Sequence, residues 1–344
     1  MPILCLIFLC LAGSAARAEG GADPGGYELG HGLDLGPFNF AGYGSVVANV
    51  PDRGRKALVL DDLSLYVTGH VAKLLNPFVE TELTGYAFTQ SAAHAPGHGQ
   101  QGYVVLERLY NDSYLTENFT LRIGKMLAPV GAWNQIHAAP LVLTTVRPAV
   151  TQRNFSEYVS GVSVLYSDAT AEFPDLQIYA QPDDEFSARP NAVAARRYKM
   201  LEGAHLSFPV TLLDKIGFSF QKGKMLGGND QLLFGTDFHY SIDKFSVEGE
   251  WTLAHLSQDS HDRFRSFEWG GYAALSYALS DEWSLSGWYE TFTDRNAVST
   301  AHDLLFGVTY RPHPALIGKL EYLQNIGGPP VNPTGLYASW SVLF

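Results

Sequence analysis

The chain has 344 residues, of which 46% are hydrophobic and 17% are charged, whereas typical soluble domains carry about 25% charged residues. This composition excludes an intrinsically disordered chain and a collagen-like repeat. The 23 basic and 35 acidic residues leave a formal net charge of −12, which excludes nucleic acid as a partner because its phosphates require clustered Lys and Arg.

The first segment is predicted to be a cleaved secretory signal peptide, residues 1–18. Residues 3–12 are apolar, and the small residues Ala16 and Ala18 follow in the A-x-A spacing of a cleavage site. A run of ten apolar residues is too short to cross a bilayer as a helix. Cys5 and Cys10 both lie in this segment, so the exported chain is expected to be stable without disulfides.

Residues 19–37 are rich in glycine and are expected to form a short, flexible periplasmic lead-in. From residue 38 onward, apolar and polar residues alternate with a period of two. Three apolar residues alternate with polar neighbours in 62–68, and the pattern recurs in 79–83, 245–253 and 283–290. Successive side chains of a strand point to opposite faces, so each of these segments is predicted to be a strand with one apolar face and one polar face.

Turn signals alternate between short and long along the same region. The tight turns are 241–244, 280–282 and 312–314, and the long polar loops are 90–101, 182–196 and 327–334. Short turns at one end and long loops at the other are typical of a transmembrane antiparallel β-barrel. A secreted β-sandwich pair or a propeller is the soluble alternative, but neither explains this alternation.

Residues 38–344 are therefore predicted to form one all-β domain of about sixteen strands, with fourteen or eighteen as alternatives. The predicted strands are 38–50, 57–68, 75–89, 103–110, 119–125, 158–168, 175–181, 199–208, 215–224, 232–240, 245–257, 267–279, 283–293, 302–311, 316–326 and 335–344. An even number places both ends of the barrel on the same side of the membrane, and sixteen strands leave room for an aqueous channel.

The last predicted strand carries a further signal. Trp340, Val342 and Phe344 share one face with other apolar residues, and serines share the opposite face. This pattern resembles the insertion signal of Gram-negative outer-membrane proteins, which the barrel assembly machinery recognises. The resemblance implies a location in the cell outer membrane, with its lipid as a partner.

The segment that follows residue 125 interrupts the alternation for some thirty residues and is too apolar to be disordered. It is expected to fold inward. Here Arg122, Gly124, Lys125, Pro129 and Gly131 match the form R-x-G-K-x-x-x-P-x-G. In this the chain resembles the phosphate-selective porins of the O and P type. The resemblance implies a sixteen-stranded outer-membrane pore, often a homotrimer, that has a constriction loop and passes small anions.

Charged residues within the strands are predicted to face the lumen, because a midplane Arg or Lys on the lipid face costs about 2–4 kcal/mol. The candidate pore-lining and constriction residues are Arg122, Lys125, His137, Arg147, Arg153, Glu80, Glu82, Glu248, Glu250, Lys319 and Glu321. The same reasoning applies to Lys199, Glu202 and Glu290. Our hypothesis is that four basic residues form a positive patch opposite the paired carboxylates at 80/82 and 248/250. The four are Arg122, Lys125, Arg147 and Arg153. Opposite charges on facing walls would give an electric field across the pore.

No enzymatic motif is found, since the sequence contains neither G-x-S-x-G nor H-E-x-x-H. No cofactor and no metal site are predicted, because His94 and His98 have no carboxylate or thiol neighbour in their loop. The predicted function is a porin for passive diffusion of small hydrophilic solutes, including anions such as phosphate. The alternative is a closed barrel that acts as an adhesin or a membrane-embedded enzyme. Lumen positions that alternate polar and small residues favour the pore.

Overall fold

A computed structural model describes residues 26–91, 102–168, 170–188, 196–211, 214–226, 228–257, 265–328 and 331–344. The predicted signal peptide and the pair His94 and His98 lie outside these ranges. Among the described residues, no helix has the length and apolar character needed to cross a membrane.

The described residues form eighteen strands and two single helical turns. The strands are β1 (Tyr27–Glu28), β2 (Gly32–Leu35), β3 (Phe38–Pro51), β4 (Ala57–Gly69), β5 (Asn76–Gln90), β6 (Tyr103–Tyr114), β7 (Phe119–Leu127), β8 (Tyr158–Tyr166), β9 (Asp175–Gln181), β10 (Tyr198–Pro209), β11 (Lys215–Met225), β12 (Asp230–Ile242), β13 (Phe245–Leu256), β14 (Phe267–Ala278), β15 (Trp283–Thr293), β16 (Ala301–His313), β17 (Leu316–Gly327) and β18 (Gly335–Leu343). The helical turns are α1 (Trp133–Ile136) and a 3-10 turn (Ala149–Thr151).

Strands β3 to β18 form a closed barrel. Each strand pairs antiparallel with the next along the chain, and β18 pairs antiparallel with β3. At this seam Ser341 lies opposite Ser45, and its hydroxyl donates to the Ser45 hydroxyl across 3.0 Å. The predicted sixteen-stranded antiparallel barrel is confirmed, as is the position of every predicted strand within a few residues.

The two faces of the strands differ in polarity. In β11, Phe218 and Phe220 are exposed, whereas Ser219 and Gln221, which alternate with them, are buried. A closed barrel buries its inner face, so the exposed apolar face is the outside and the polar face lines the interior. This is the inverse of a soluble barrel and suits a lipid exterior.

The side-chain assignment made from the sequence is wrong at Glu202. Glu202 was expected in the lumen, but it lies opposite Lys222 on the outer face, and the two charges pair across 3.7 Å with exposed fractions of 66% and 64%. Each charge thus has the other as its partner on the outer face. Tyr272 is buried on the inner face of β14.

Two short strands lie within the predicted lead-in, and its flexibility remains a prediction. Strands β1 and β2 form a hairpin, and Leu33 of β2 pairs with Phe40 of β3. The side-chain amide of Asn39 donates to Asp34 across 2.9 Å and fixes this corner. The hairpin thus extends the sheet beyond one end of the barrel.

The interior of the barrel contains a large apolar cluster. Trp288, Phe292, Leu305 and Leu323 project inward from β15, β16 and β17 and are buried together with residues that follow β7, including Trp133. The expectation that lumen positions carry only polar and small residues is therefore wrong on this side of the barrel. The bulky side chains lie there because they pack against the connection between β7 and β8.

Candidate pore lining and its loop

Residues 128–157, which we call the inner loop, connect β7 to β8 and contact the polar inner face of the barrel. Oε1 of Glu250 on β13 accepts hydrogen bonds from the backbone N–H groups of Ala132 (2.9 Å) and Trp133 (2.5 Å). Oε1 of Glu290 on β15 accepts one from Val150 (2.8 Å). A buried backbone N–H group without an acceptor is costly, so each of these hydrogen bonds stabilises the contact between loop and wall. Both carboxylates therefore fasten the loop to the wall.

Strand β17 fastens the inner loop with two opposite charges. Glu321 accepts hydrogen bonds from the backbone N–H groups of Thr145 (2.6 Å) and Val146 (3.1 Å). Lys319 donates from Nζ to the carbonyl oxygens of Ala139 (2.9 Å) and Val142 (2.6 Å). Three predicted pore-lining residues, Glu250, Lys319 and Glu321, thus hold the loop in place.

The motif behind the family resemblance has a local structural role at Gly131. This residue has φ of +68° and donates its N–H to the Ser219 hydroxyl across 3.3 Å. A Cβ at this position would overlap the carboxylate of Glu250. Only glycine adopts this backbone conformation without strain and also leaves room for Glu250 to reach the loop.

Arg147 stabilises the inner loop from within. Its guanidinium donates to Glu157 (2.8 Å), to the side-chain oxygen of Asn134 (3.0 Å) and to the hydroxyl and carbonyl oxygens of Thr151 (2.9 and 2.6 Å). All of these partners belong to the same loop. Arg147 therefore ties the two ends of the loop together.

On β4, β5 and β6 the inner wall carries a stack of three aromatic rings. The ring centroids of Tyr66 and Phe78 are 5.9 Å apart, and those of Phe78 and Tyr110 are 5.1 Å apart. The guanidinium of Arg108 lies 4.4 Å from the Phe78 centroid, and that of Arg122 lies 4.0 Å from the Tyr110 centroid. Both arginines gain cation–π stabilisation. We call these five residues the arginine strip.

Each arginine of the strip has a carboxylate partner but remains partly accessible. Arg108 pairs with Glu80, and Arg122 pairs with Asp112 through two hydrogen bonds of 2.7 and 2.8 Å. The arginine side chains are 23% and 22% exposed. The strip thus presents two partly exposed guanidinium groups, each beside a carboxylate, to the interior of the barrel.

Sequence reasoning missed Arg108 because a bulge changes the alternation in β6. Glu80 lies opposite Arg108, whereas its neighbour Thr81 lies opposite Leu106, so Glu107 has no partner in this ladder. An extra residue in one strand reverses which side chains face inward beyond it. The charge of Arg108 within a predicted strand was the available signal.

Three of the four basic residues expected to form one positive patch have separate partners. Arg122 pairs with Asp112 and Arg147 with Glu157. Lys125 is buried, with its Nζ 2.9 Å from both Glu185 and the carbonyl oxygen of Ser187 and 4.5 Å from the Tyr158 ring centroid.

Arg153 lies apart from the other three. It lines a cavity of about 550 Å³ together with Phe292, Asp294 and Val331, among other residues.

The remaining candidates occupy two places. Glu82 and His137 lie together with Glu107, and His137 Nε2 is 3.9 Å from a Glu107 carboxylate oxygen. Glu248 faces inward and accepts a hydrogen bond of 3.3 Å from the Tyr272 hydroxyl.

The predicted assembly-signal residues lie at the seam of the barrel. Trp340 and Val342 belong to the outward face of β18, where Trp340 lies opposite Gly318 of β17. Phe344 exchanges two backbone hydrogen bonds with Gly42 of β3, of 2.7 and 2.9 Å. The predicted apolar face of this strand is thus the face directed away from the interior.

A closed barrel of sixteen antiparallel strands, with an apolar exterior and a polar interior, is the fold of the porins. Solved porin structures share it at low sequence identity. Over 89% of this chain and 97% of the other, OmpF of Salmonella typhi in complex with daunomycin is 11% identical with a TM-score of 0.64. An anion-selective porin from Comamonas acidovorans is 14% identical with a TM-score of 0.58, over 89% of this chain and 97% of the other.

OmpT, an outer membrane protein of Vibrio cholerae solved in a trimer form, is also similar to this chain. It is 12% identical with a TM-score of 0.59 over 90% of this chain and all of the other. No protein-family model and no curated protein matches the chain. These likenesses confirm the fold, and the relation to the phosphate-selective O and P type remains a prediction.

Proposed function

We propose that this chain is an outer-membrane porin for passive diffusion of small hydrophilic solutes. The observation that carries the proposal is the arginine strip. It holds two partly exposed guanidinium groups on the inner face of a closed barrel whose outer face is apolar. Charged side chains that remain in contact with water inside such a barrel are those expected of an aqueous channel.

The inner loop is proposed to form the constriction of this channel. Its N–H and carbonyl groups are bound to inward side chains of β13, β15 and β17. Apart from the contact of His137 with Glu107 of β6, this fastening leaves the arginine strip on β4 to β7 as the accessible part of the wall. Solutes are then proposed to pass between the loop and the strip.

The solute class is proposed to be small polar molecules and anions, including phosphate, with weak net ion selectivity. Guanidinium groups bind carboxylate and phosphate oxygens in planar, bidentate geometry. In the strip, however, each guanidinium already has a carboxylate beside it, so the charge offered to a passing anion is partly compensated.

Export through a cleaved signal peptide, insertion by the barrel assembly machinery and assembly as a homotrimer complete the proposal. The apolar outer face supports a lipid environment. The trimer form of Vibrio cholerae OmpT supports a homotrimer by analogy of fold. We propose no catalytic activity for the chain.

A closed barrel that acts as an adhesin or enzyme is the competing function, and one observation favours it. The inner loop and the wall bury a continuous apolar cluster, which includes Trp133, Val150, Trp288 and Leu323. Such a cluster narrows the lumen on the side of β15 to β17.

Recordings in planar lipid bilayers test the proposal. The purified full-length chain, first checked for folding by its heat-modifiable migration on gels, is expected to give stepwise, ohmic conductance. Liposomes that contain it are expected to swell in solutions of small sugars or phosphate. A folded barrel that gives neither conductance steps nor swelling would support the closed-barrel alternative instead.

A further inference from the structure

Three side chains with metal-binding donors meet where the inner loop approaches β5 and β6. Glu82 of β5, Glu107 of β6 and His137 of the inner loop each direct one donor atom into a common space. These three atoms lie within 4.8 Å of one another. The cluster contains one nitrogen and two carboxylate donors, and both glutamates are buried.

Three separate structural elements position these donors. His137 terminates α1, where its N–H donates to the carbonyl oxygen of Trp133 across 2.8 Å. Glu107 occupies the bulge in β6, and its carboxylate accepts a hydrogen bond from the Tyr158 hydroxyl. Glu82 lies on the inner face of β5 opposite Val105. Ordered backbone around each donor reduces the conformational entropy lost on binding an ion.

A further carboxylate, that of Glu80, lies beside the cluster but is not part of it. Glu80, two residues from Glu82 on the same face, is paired with Arg108. That guanidinium is directed to Glu80 and to the Phe78 ring. Carboxylate oxygens bind divalent ions in their ionised form, so an ion bound here would favour that form of Glu82 and Glu107.

We propose that Glu82, Glu107 and His137 bind a divalent transition-metal ion such as Zn²⁺ and thereby cross-link the inner loop to the wall. The imidazole nitrogen favours Zn²⁺ over Mg²⁺ or Ca²⁺, which prefer oxygen ligands only. Ligand bonds of about 2.0–2.2 Å require the donors to move together through small side-chain rotations. Water completes the coordination, because three protein ligands leave one tetrahedral position open.

The ion reaches this site from the interior of the barrel. The side chain of His137 is 11% exposed, whereas that of Glu107 is fully buried. The imidazole is therefore the first donor that an arriving ion meets, and the two carboxylates lie behind it.

Cobalt(II) is the probe that tests the site without depending on conductance. The full-length chain, folded in detergent, is titrated with Co²⁺ and its visible d–d absorption is recorded. One equivalent is expected to give bands of a nitrogen- and oxygen-ligated ion, and Zn²⁺ is expected to displace it. H137A and E107Q are expected to weaken binding by roughly 10- to 100-fold, a loss at least as large as that seen on removing outer-shell partners.

H239A is the matched control. His239 also faces the interior, from β12, where its imidazole lies 3.1 Å from the Ser246 hydroxyl, and it lies outside the cluster. This variant is expected to bind Co²⁺ as the unmodified chain does. Heat-modifiable migration verifies that each variant is folded, and H137Q replaces any H137A protein that is not.

Two outcomes would overturn the proposal. One is the absence of d–d bands in the unmodified, folded chain. The other is retention of those bands, with unchanged affinity, in folded H137A or H137Q. Neither outcome bears on whether the barrel conducts, so a failure of the metal site is distinguishable from a failure of the proposed porin function.

Discussion

The backbone N–H of Thr145 donates a 2.6 Å hydrogen bond to the carboxylate of Glu321, 176 residues further along the chain. It is one of several bonds through which inward carboxylates hold a single loop. Because these carboxylates belong to β13, β15 and β17, the loop is bound at separated points of the wall. The energetic importance of each point is open to direct measurement.

Replacing Glu321 with alanine is expected to release part of the inner loop and to raise single-channel conductance. The change leaves the N–H groups of Thr145 and Val146 without their acceptor, at a cost of about 1–3 kcal/mol for each buried group. E321Q retains one acceptor oxygen, so its conductance is expected to lie between those of the unmodified chain and E321A. Equal conductance in all three proteins would contradict a role for Glu321 in holding the loop.

Replacing Gly131 with alanine is expected to destabilise the barrel more than the same change at Gly85. Both residues have nearly the same φ, +68° and +69°, so both variants share a backbone strain of about 1–2 kcal/mol. Only at residue 131 would the new methyl group also overlap a neighbour, the carboxylate of Glu250; at residue 85 it would meet no described atom within 4 Å. The temperature of heat-induced unfolding on gels measures the difference. If the unfolding temperature falls as far in G85A as in G131A, the result would contradict a steric role of Gly131.

Charge changes at the pair Arg122 and Asp112 are expected to shift ion selectivity in opposite directions. R122A leaves a carboxylate facing the lumen and moves the reversal potential in a KCl gradient toward cation preference. D112N has the opposite effect, and the double variant R122Q/D112N is expected to remain near the unmodified value. K222A, on the outer face, is the control and is expected to cause no shift. Shifts of one sign in both single variants would argue against a direct action of these charges on the ion path.

The turn between β8 and β9 is expected to loosen at acid pH through Asp168. Hydrogen bonds from the Thr170 hydroxyl (2.7 Å) and from the backbone N–H groups of Thr170, Phe173 and Glu172 lower the pKa of Asp168 below its usual value of 3.8. A lowered folded-state pKa means that the stabilisation is present above pH 3.8 and is lost as the pH falls through the lowered value.

Hydrogen exchange of these amides measures the effect. The protection of Thr170, Glu172 and Phe173 is expected to exceed that in D168A at neutral pH and to approach the D168A value in strong acid. A protection ratio that does not change with pH would contradict the prediction.

The strands were predictable because the residues of each strand alternate according to the environments of its two faces. Lipid on one side and polar interior on the other require alternation with a period of two, which is visible in segments such as 245–253. No long-range information is needed for this inference. The confirmed barrel therefore follows from local pattern and turn composition alone.

The roles of the inward charges were not predictable in the same way. Whether Glu250 lines a pore or holds a loop depends on Trp133, which is 117 residues away in sequence. Arg108 was missed because a single extra residue at Glu107 changes the inward face. Tertiary contacts and bulges of this kind leave no periodic signal, so the site had to come from the structure.

The seam between β3 and β18 gives the fold an all-or-none character. Ser45 and Ser341 meet across 296 residues of chain, and only this contact gives β3 and β18 their second neighbour in the barrel. A sheet that lacks the seam exposes two rows of backbone N–H and C=O groups, and each such group costs several kcal/mol in hydrocarbon. An open sheet is therefore restricted to the aqueous phase or its boundary. Entry of the strands into the bilayer interior is thus coupled to closure of the barrel.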